Sequence, residues 1–445
     1  MPTLSGVEYR GLSGLRGPLA FLKNVPAASF HEHVDVLSPD GSVRAGRVLA
    51  TTTTAVVIEV FGPTDTLALA TTRVRFYGHP LMFGVGRELI GRRFDGLGRP
   101  TDGLPPPVVA DERAIEGAVI NPVRREFPRD FLETGVSAID VLNTLVLGQK
   151  LPIFTEAGLP HDALAIQIIS QARAARVEDF VVVFVALGLP REVALRYEAG
   201  FRRAGVQDRV VAFMNFADDP AAERLITPRC ALTAAEYLAF DLGMHVLVVL
   251  NDMTNYGEAL REVSAARGEM PSRKGYPGYL YSDLASIFER AGRIRGRAGS
   301  LTQIPIVTMP SGDLTHPIPD LTGYVTEGQI VLDRELDRRG IYPPIAVLPS
   351  LSRLMNDGIG AGRTRADHAD LARQLYANSA RAARARSLEA IIGREELSDL
   401  ERRYLEFGDR FERRFLAQPA DAARPIVRSL DLAAEVLGDL RGEAR

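Results

Sequence analysis

The sequence predicts a multidomain chain of three modules in the order β, α/β and all-α, and three observations predict it. Short β-rich runs between turn signals fill the stretch up to about residue 77. Continuous apolar runs alternate with helical patterns over residues 151–349. Beyond Pro349 strand signals vanish, and from Arg365 onward the chain is rich in Ala, Leu, Arg and Glu at helical spacing. At 445 residues and 46% hydrophobic content there is material for roughly two to four domain cores.

The first module rests on runs at residues 30–37, 43–50, 55–61 and 72–76, separated by punctuation such as Ser38-Pro39-Asp40-Gly41 and Gly62-Pro63. Strands at this spacing suggest a small barrel or sandwich. Residues 78–130 are dense in Gly and Pro, which marks a connecting segment that wraps a surface. The pattern shifts near Glu133, where residues 134–143 look like a helix start leading through Gly148 into an apolar strand.

In the centre, apolar runs at 181–187, 210–215, 246–250 and 302–309 alternate with helical patterns at 190–204, 228–242, 256–267 and 281–290. Continuous apolar strands alternating with helices predict a parallel sheet covered on both faces. After residue 350 the positions Leu371, Leu375, Leu388, Ile391, Ile392, Leu397, Tyr404, Leu405 and Phe407 are expected to form the buried faces of a small bundle.

Composition excludes several function classes. A net charge of −3 predicts no nucleic-acid binding. Basic charge is almost entirely arginine, since the lysines are Lys23, Lys150 and Lys274 alone, and none lies where a catalytic lysine would be needed. Cys230 is the single cysteine, so an intrachain disulfide is impossible and the residue is expected to be packed and inert. The seven histidines show no metal-ligand spacing. The longest apolar runs fall well short of the roughly 20 residues of a membrane helix, and no signal segment is evident at Met1, so a cytoplasmic, soluble chain is expected.

The stretch 150–173 organises the chain. It reads as a short strand, a loop and a helix with apolar positions Leu164, Ile166, Ile168, Ile169 and Ala172. A phosphate-binding loop sits in that context, because backbone N–H groups and the positive helix end converge on an anion. A working loop reads G-x-x-x-x-G-K-[ST], whereas this one reads Thr155-Glu156-Ala157-Gly158-Leu159-Pro160-His161-Asp162. The lysine and the hydroxyl are missing, Pro160 removes an N–H donor, and Glu156 and Asp162 put carboxylates where phosphates would lie. The expectation is a nucleotide-binding architecture whose own phosphate site is dismantled.

The segments Gly148-Gln149-Lys150-Leu151-Pro152-Ile153-Phe154, 218–229 (Asp-Asp-Pro-Ala-Ala-Glu-Arg-Leu-Ile-Thr-Pro-Arg), 235–240 and Asn251-Asp252-Met253-Thr254-Asn255-Tyr256 are similar to those of the non-catalytic B subunit of V-type and archaeal-type rotary ATPases. So are residues 275–284 (Gly-Tyr-Pro-Gly-Tyr-Leu-Tyr-Ser-Asp-Leu), 315–329 and Leu348-Pro349-Ser350-Leu351-Ser352-Arg353-Leu354-Met355. The resemblance covers nearly the whole chain. It implies an N-terminal β-barrel over 1–77, a central RecA-like α/β domain with a degenerate phosphate loop over 78–350, and a C-terminal helical bundle over 351–445.

The resemblance also implies function. Subunits of this type alternate with a catalytic A subunit in a hexameric head. That head couples ATP turnover to proton or sodium transport, with central-stalk and peripheral-stalk subunits as further partners. ATP or ADP with Mg is then bound by the catalytic partner, not by this chain's own loop, and the chain meets the membrane only through the assembled complex. Arg353 matches the arginine such subunits present in trans to the partner's nucleotide, as an arginine finger on the γ-phosphoryl oxygens. Ser350 and Ser352 are further nucleotide-side candidates or plain loop residues. Asp252, where an NTPase places its Mg²⁺ carboxylate, reads as a helix-capping or interface residue, and Tyr276, Tyr279 and Tyr281 as a cluster that lines a subunit interface or, as the lesser alternative, packs locally. Two other readings compete, a stand-alone RecA-like ATPase and a pseudo-ATPase scaffold without a rotary partner.

Overall fold

The computed structural model describes residues 6–26, 28–117, 119–174 and 180–442. Seven strands, β1 (Val7–Arg10), β2 (Gly14–Arg16), β3 (Leu19–Lys23), β4 (Glu32–Leu37), β5 (Val43–Thr51), β6 (Ala55–Val60) and β7 (Arg73–Pro80), form one antiparallel sheet in the order β1-β7-β4-β5-β6-β3-β2. Its edge strands β1 and β2 are consecutive in sequence and parted only by residues 11–13, so the sheet curls until its edges approach. The inner face is the apolar half of a period-two pattern, with Val34, Val36, Val48, Ile58 and Val74 all fully buried. The sequence pattern marks β4 to β7. It does not mark β1 to β3: β1 and β2 are short with few apolar residues, and the apolar run Leu19-Ala20-Phe21-Leu22 of β3 is brief.

The central domain is a ten-stranded sheet. Its main path comprises β8 (Arg93–Asp95), β9 (Ile153–Thr155), β10 (Phe180–Leu189), β11 (Val210–Phe216), β12 (His245–Asn251), β13 (Ser300–Thr308), β14 (Gly328–Leu332) and β15 (Ile345–Ser352), in the order β15-β14-β9-β13-β12-β10-β11-β8. Every pairing along that path is parallel except β14 with β15. All residues of β10 are buried because successive side chains feed opposite cores. Val182, Phe184 and Ala186 enter one cluster; Val181, Val183, Val185 and Leu187 enter the other. Helices α1 (His161–Gln171), α2 (Arg191–Ala204), α3 (Ala221–Glu236), α4 (Met253–Arg267), α5 (Leu280–Phe288) and α6 (Pro317–Val325) cover the faces.

Helix α3 begins at Ala221, ahead of the start expected at Pro228, and holds that proline in its interior. Pro228 lacks an N–H and would favour a first-turn position, but α3 is buried on nearly all sides and packing overrides propensity. The barrel's last strand continues to Pro80 and the last strand of the central sheet to Ser352, so divisions drawn at 77 and 350 fall inside strands.

The C-terminal module is α7 (His368–Ile392), α8 (Asp399–Arg410), a wider π-type turn over Phe411–Leu416 and α9 (Ile426–Gly442). Phe407, Phe411 and Phe415 stack at 5.9 and 5.3 Å between ring centroids, the i,i+4 spacing that puts them on one helix face. They pack into the same continuous core as the sheet. Leu371, Leu375, Leu397, Leu405 and Phe407 are buried as expected. Ile391 and Ile392 are not: they are 80% and 42% exposed, because they occupy the last turn of α7 where the chain swings away at Gly393.

Candidate functional site

Strand β9, the loop 156–160 and helix α1 form the expected strand-loop-helix. The loop's own atoms occupy the features a phosphate would need. Leu159 N–H donates to Glu156 O at 3.2 Å and His161 N–H to Leu159 O at 2.9 Å, so two donors that would face an anion are turned inward. Pro160 has no N–H to offer. The Glu156 carboxylate lies 2.9 Å from the Arg334 guanidinium, which also donates to Ala157 O at 2.8 Å and straps the loop from outside. Asp162 brings its own negative charge to the first turn of α1. Its Oδ1 accepts from Tyr197 OH and from Asn251 Nδ2, each at 2.9 Å, and Arg196 stands 3.7 Å from Oδ2. Burial beside that carboxylate pushes the Tyr197 phenol well above its ordinary range, so it stays a donor. These residues do not fit a Mg-nucleotide: carboxylates, consumed amides and a missing lysine all oppose it.

Asp252 caps α4. Its carboxylate accepts from Thr254 N–H at 2.8 Å and Thr308 N–H at 3.2 Å, and burial holds it above the usual carboxylate range. The tyrosine cluster splits. Tyr276 is buried, donates to Glu258 and meets His316 edge to face, which makes it a local packing residue. Tyr279 donates to Glu269 at 3.0 Å, and Tyr281 is half exposed. Cys230 is buried and its thiol is pushed up to about 12 by that burial, which makes it unreactive. Among the described residues no group of three or more His, Cys, Asp or Glu side chains could hold a metal ion. No described helix is long and apolar enough to cross a membrane.

Arg353 follows the end of β15. Its side chain is exposed, and among the described residues nothing forms a hydrogen bond or ion pair with its guanidinium. It borders a cleft of about 320 Å³ together with Gln329, Leu348, Leu351 and Tyr376. The neighbouring serines are committed to the backbone. Ser350 Oγ accepts from Val331 N–H at 3.0 Å and donates to Ala346 O at 2.5 Å; Ser352 Oγ donates to Thr144 O at 2.8 Å. Both hydroxyls give their protons to backbone carbonyls and hold the strand end.

The sheet fixes where Arg353 lies relative to the loop. Strand β15 is antiparallel to β14 and pairs Ser352 with Gly328, the first residue of β14. Strand β9 is parallel to β14, pairing Ile153 with Ile330, so its loop leaves from the opposite, C-terminal edge. Gln149 Nε2 touches Ser352 Oγ at 2.9 Å, and the stretch from 149 to 155 spans roughly 20 Å when extended. Arg353 and the loop therefore face away from each other across the sheet. Sequence reasoning missed the residues that arrange this, Gln149, Lys150, Glu327 and Arg334. The one signal available was a lysine at position 150 in a chain with only three.

Residues 135–352 match the nucleotide-binding domain of the ATP synthase alpha/beta family, and residues 357–444 match the C-terminal domain of V and A type ATP synthase. The chain is 55% identical to the V-type ATP synthase beta chain of Halothermothrix orenii over 97% of its own length and 94% of the relative's. It is likewise 55% identical to the B subunit of the A-type ATP synthase of Aeropyrum pernix, over 98% and 94%. Its fold is similar to the solved ATP synthase subunit NeqB from Nanoarcheaum equitans, with a TM-score of 0.76 and 36% identity over 95% of this chain and 99% of that one. With two relatives this similar along almost their whole lengths, and both domain models matched, the chain belongs to the B (beta) subunit family of V/A-type ATP synthases.

Proposed function

We propose that this subunit is a non-catalytic member of a hetero-oligomeric, ion-transporting ATPase head, and that Arg353 acts in trans on a nucleotide held by a neighbouring catalytic subunit. The observation that carries this reading is the placement of Arg353 on the sheet edge opposite its own loop, roughly 20 Å away. No phosphate near the loop could meet the guanidinium, so a phosphate that Arg353 serves must come from another chain. The closed loop supports the same division of labour, because Mg-ATP then belongs to the catalytic partner. An alternating ring would bring each subunit's arginine to its neighbour, with stalk subunits transmitting rotation to proton or sodium movement. A planar, permanently charged guanidinium stabilises the charge that spreads over the γ-phosphoryl oxygens in the transition state.

The test is ATP hydrolysis by the chain reconstituted with a catalytic A subunit. The chain alone should be silent. Arg353→Ala should assemble normally and lose about 10³-fold or more in kcat. Arg353→Lys should recover little, because a point charge cannot reproduce the bidentate fork. Normal hydrolysis by the Arg353→Ala assembly would remove the trans role, and steady hydrolysis by the isolated chain would remove the non-catalytic one.

A further inference from the structure

Arg353 leaves the sheet beside a charged cluster centred on a buried lysine. Lys150 is 3% exposed, with its Nζ 2.8 Å from Glu327 Oε1 and 2.9 Å from Glu289 Oε1. Its backbone N–H donates to Glu327 Oε2 at 2.8 Å, and Glu327 N–H donates back to Lys150 O at 3.0 Å. The Glu327 carbonyl then receives Gln149 Nε2 at 3.1 Å and the N–H of Arg353 itself at 3.0 Å. The same Gln149 amide donates to Ser352 Oγ at 2.9 Å. On the far side, Arg125 holds Glu289 through Oε2 at 2.8 Å and its carbonyl at 2.7 Å. Glu327 is thus gripped through its carboxylate, its N–H and its carbonyl, and Arg353 hangs from that carbonyl.

Burying an ammonium between carboxylates carries a desolvation penalty, and well-packed apolar residues of similar volume often do as well or better for stability. What such a cluster provides is a single fixed geometry. The choice of lysine fits: a compact three-donor ammonium fills a closed slot between two carboxylates, where the planar guanidinium fork would need more room. In a chain that uses arginine almost everywhere else, this is one of only three lysines.

We propose that Gln149, Lys150 and Glu327 form a clamp that positions Arg353 for the neighbouring subunit's nucleotide; this rests on the trans role of Arg353 given above. They are positioning residues and touch no substrate. Their effect runs through the Glu327 carbonyl and the Ser352 hydroxyl to the point where Arg353 leaves the sheet. Displacement of a charge-stabilising group by about 1 Å can cost up to about 100-fold in rate.

The experiment measures kcat and KM for ATP in the assembled head for Lys150→Met and Glu327→Gln, each with Arg353 present and with Arg353→Ala. With Arg353 present, kcat should fall by about 10- to 100-fold while KM stays within about twofold, because the lost interaction belongs to the transition state. With Arg353→Ala, the same substitutions should cost no more than about twofold further. Equal losses in both backgrounds, or no loss with Arg353 present, would overturn the clamp. If Arg353→Ala alone costs nothing, the arginine reading falls and the clamp with it, which is a different result from an arginine that matters and a clamp that does not. Glu327→Gln keeps the shape and the carbonyl, so it decides the matter if Lys150→Met fails to assemble.

Discussion

At the scale of single residues, the chain contrasts charges that are held and charges that are left free. Glu156 and Asp162, read from the sequence as carboxylates repelling a nucleotide, are both held within the chain, Glu156 by an ion pair with Arg334 and Asp162 by hydrogen bonds from Tyr197 and Asn251 that leave its charge in place. Glu223 is held differently. It is 6% exposed beside the carboxylates of Asp219 and Asp95, and burial together with those charges raises it from 4.5 to about 7. Its protonated form is the one the fold prefers, so its stabilising contribution is complete below pH 4.5 and is lost as pH rises through 7. Glu223→Gln should therefore remove a pH dependence. Wild type should lose roughly 1–3 kcal/mol relative to the variant between those limits, read from denaturant midpoints across pH. Equal slopes for the two proteins would contradict this account. The candidacy of Arg353 came from its flanking segment. The roles of Ser350 and Ser352 were not, because a hydroxyl's partner is chosen by the neighbouring strand, and Tyr276 turned inward for the same reason.

At the scale of elements, periodicity and caps did most of the specifying. Strand β10 was visible because ten successive residues must satisfy two cores at once. Helix α4 starts where Asp252 can cap it, and α8 starts at Ser398, whose hydroxyl accepts from Glu401 N–H while the Glu401 carboxylate accepts from Ser398 N–H at 2.8 Å. Ser398→Ala removes the hydroxyl half of that capping box, leaving the backbone N–H of residue 398 to the Glu401 carboxylate, and should cost the first turn of α8 about 1 kcal/mol, seen as a roughly fivefold loss of hydrogen-exchange protection confined to that helix. An unchanged exchange rate would mean that packing of Leu405 and Phe407 alone holds the helix start. Element boundaries failed where burial outweighed local preference, as at Pro228. Amphipathic spacing failed at Ile391 and Ile392, where the helix continues past the neighbours that would cover it.

At the scale of the whole molecule, the barrel is tied to the central domain by charge as well as contact. Arg47 of the barrel pairs with buried Glu59 at 2.7 Å and reaches Glu116 at 3.0 Å. The same Glu116 carboxylate holds Arg229 of α3 at 3.0 Å, and Arg229 continues to Asp283 at 2.9 Å. Glu116→Ala leaves each of two largely buried guanidiniums with a single carboxylate, Glu59 for Arg47 and Asp283 for Arg229, and should cost roughly 1–3 kcal/mol. Calorimetry of the variant should show a barrel transition separating to lower temperature ahead of the core. A single unchanged transition would show that apolar contact suffices.

The sequence by itself determined the three modules, the apolar strands, the disabled loop and the candidacy of Arg353, because each is written in local composition or in a contiguous segment. Only the tertiary structure decided the strand order, and with it that the loop and Arg353 lie on opposite edges of the sheet. It alone joined Gln149 and Lys150 to Glu327 and to the end of β15. Those contacts link segments nearly two hundred residues apart, and a parallel sheet sets them through crossovers that no local pattern records.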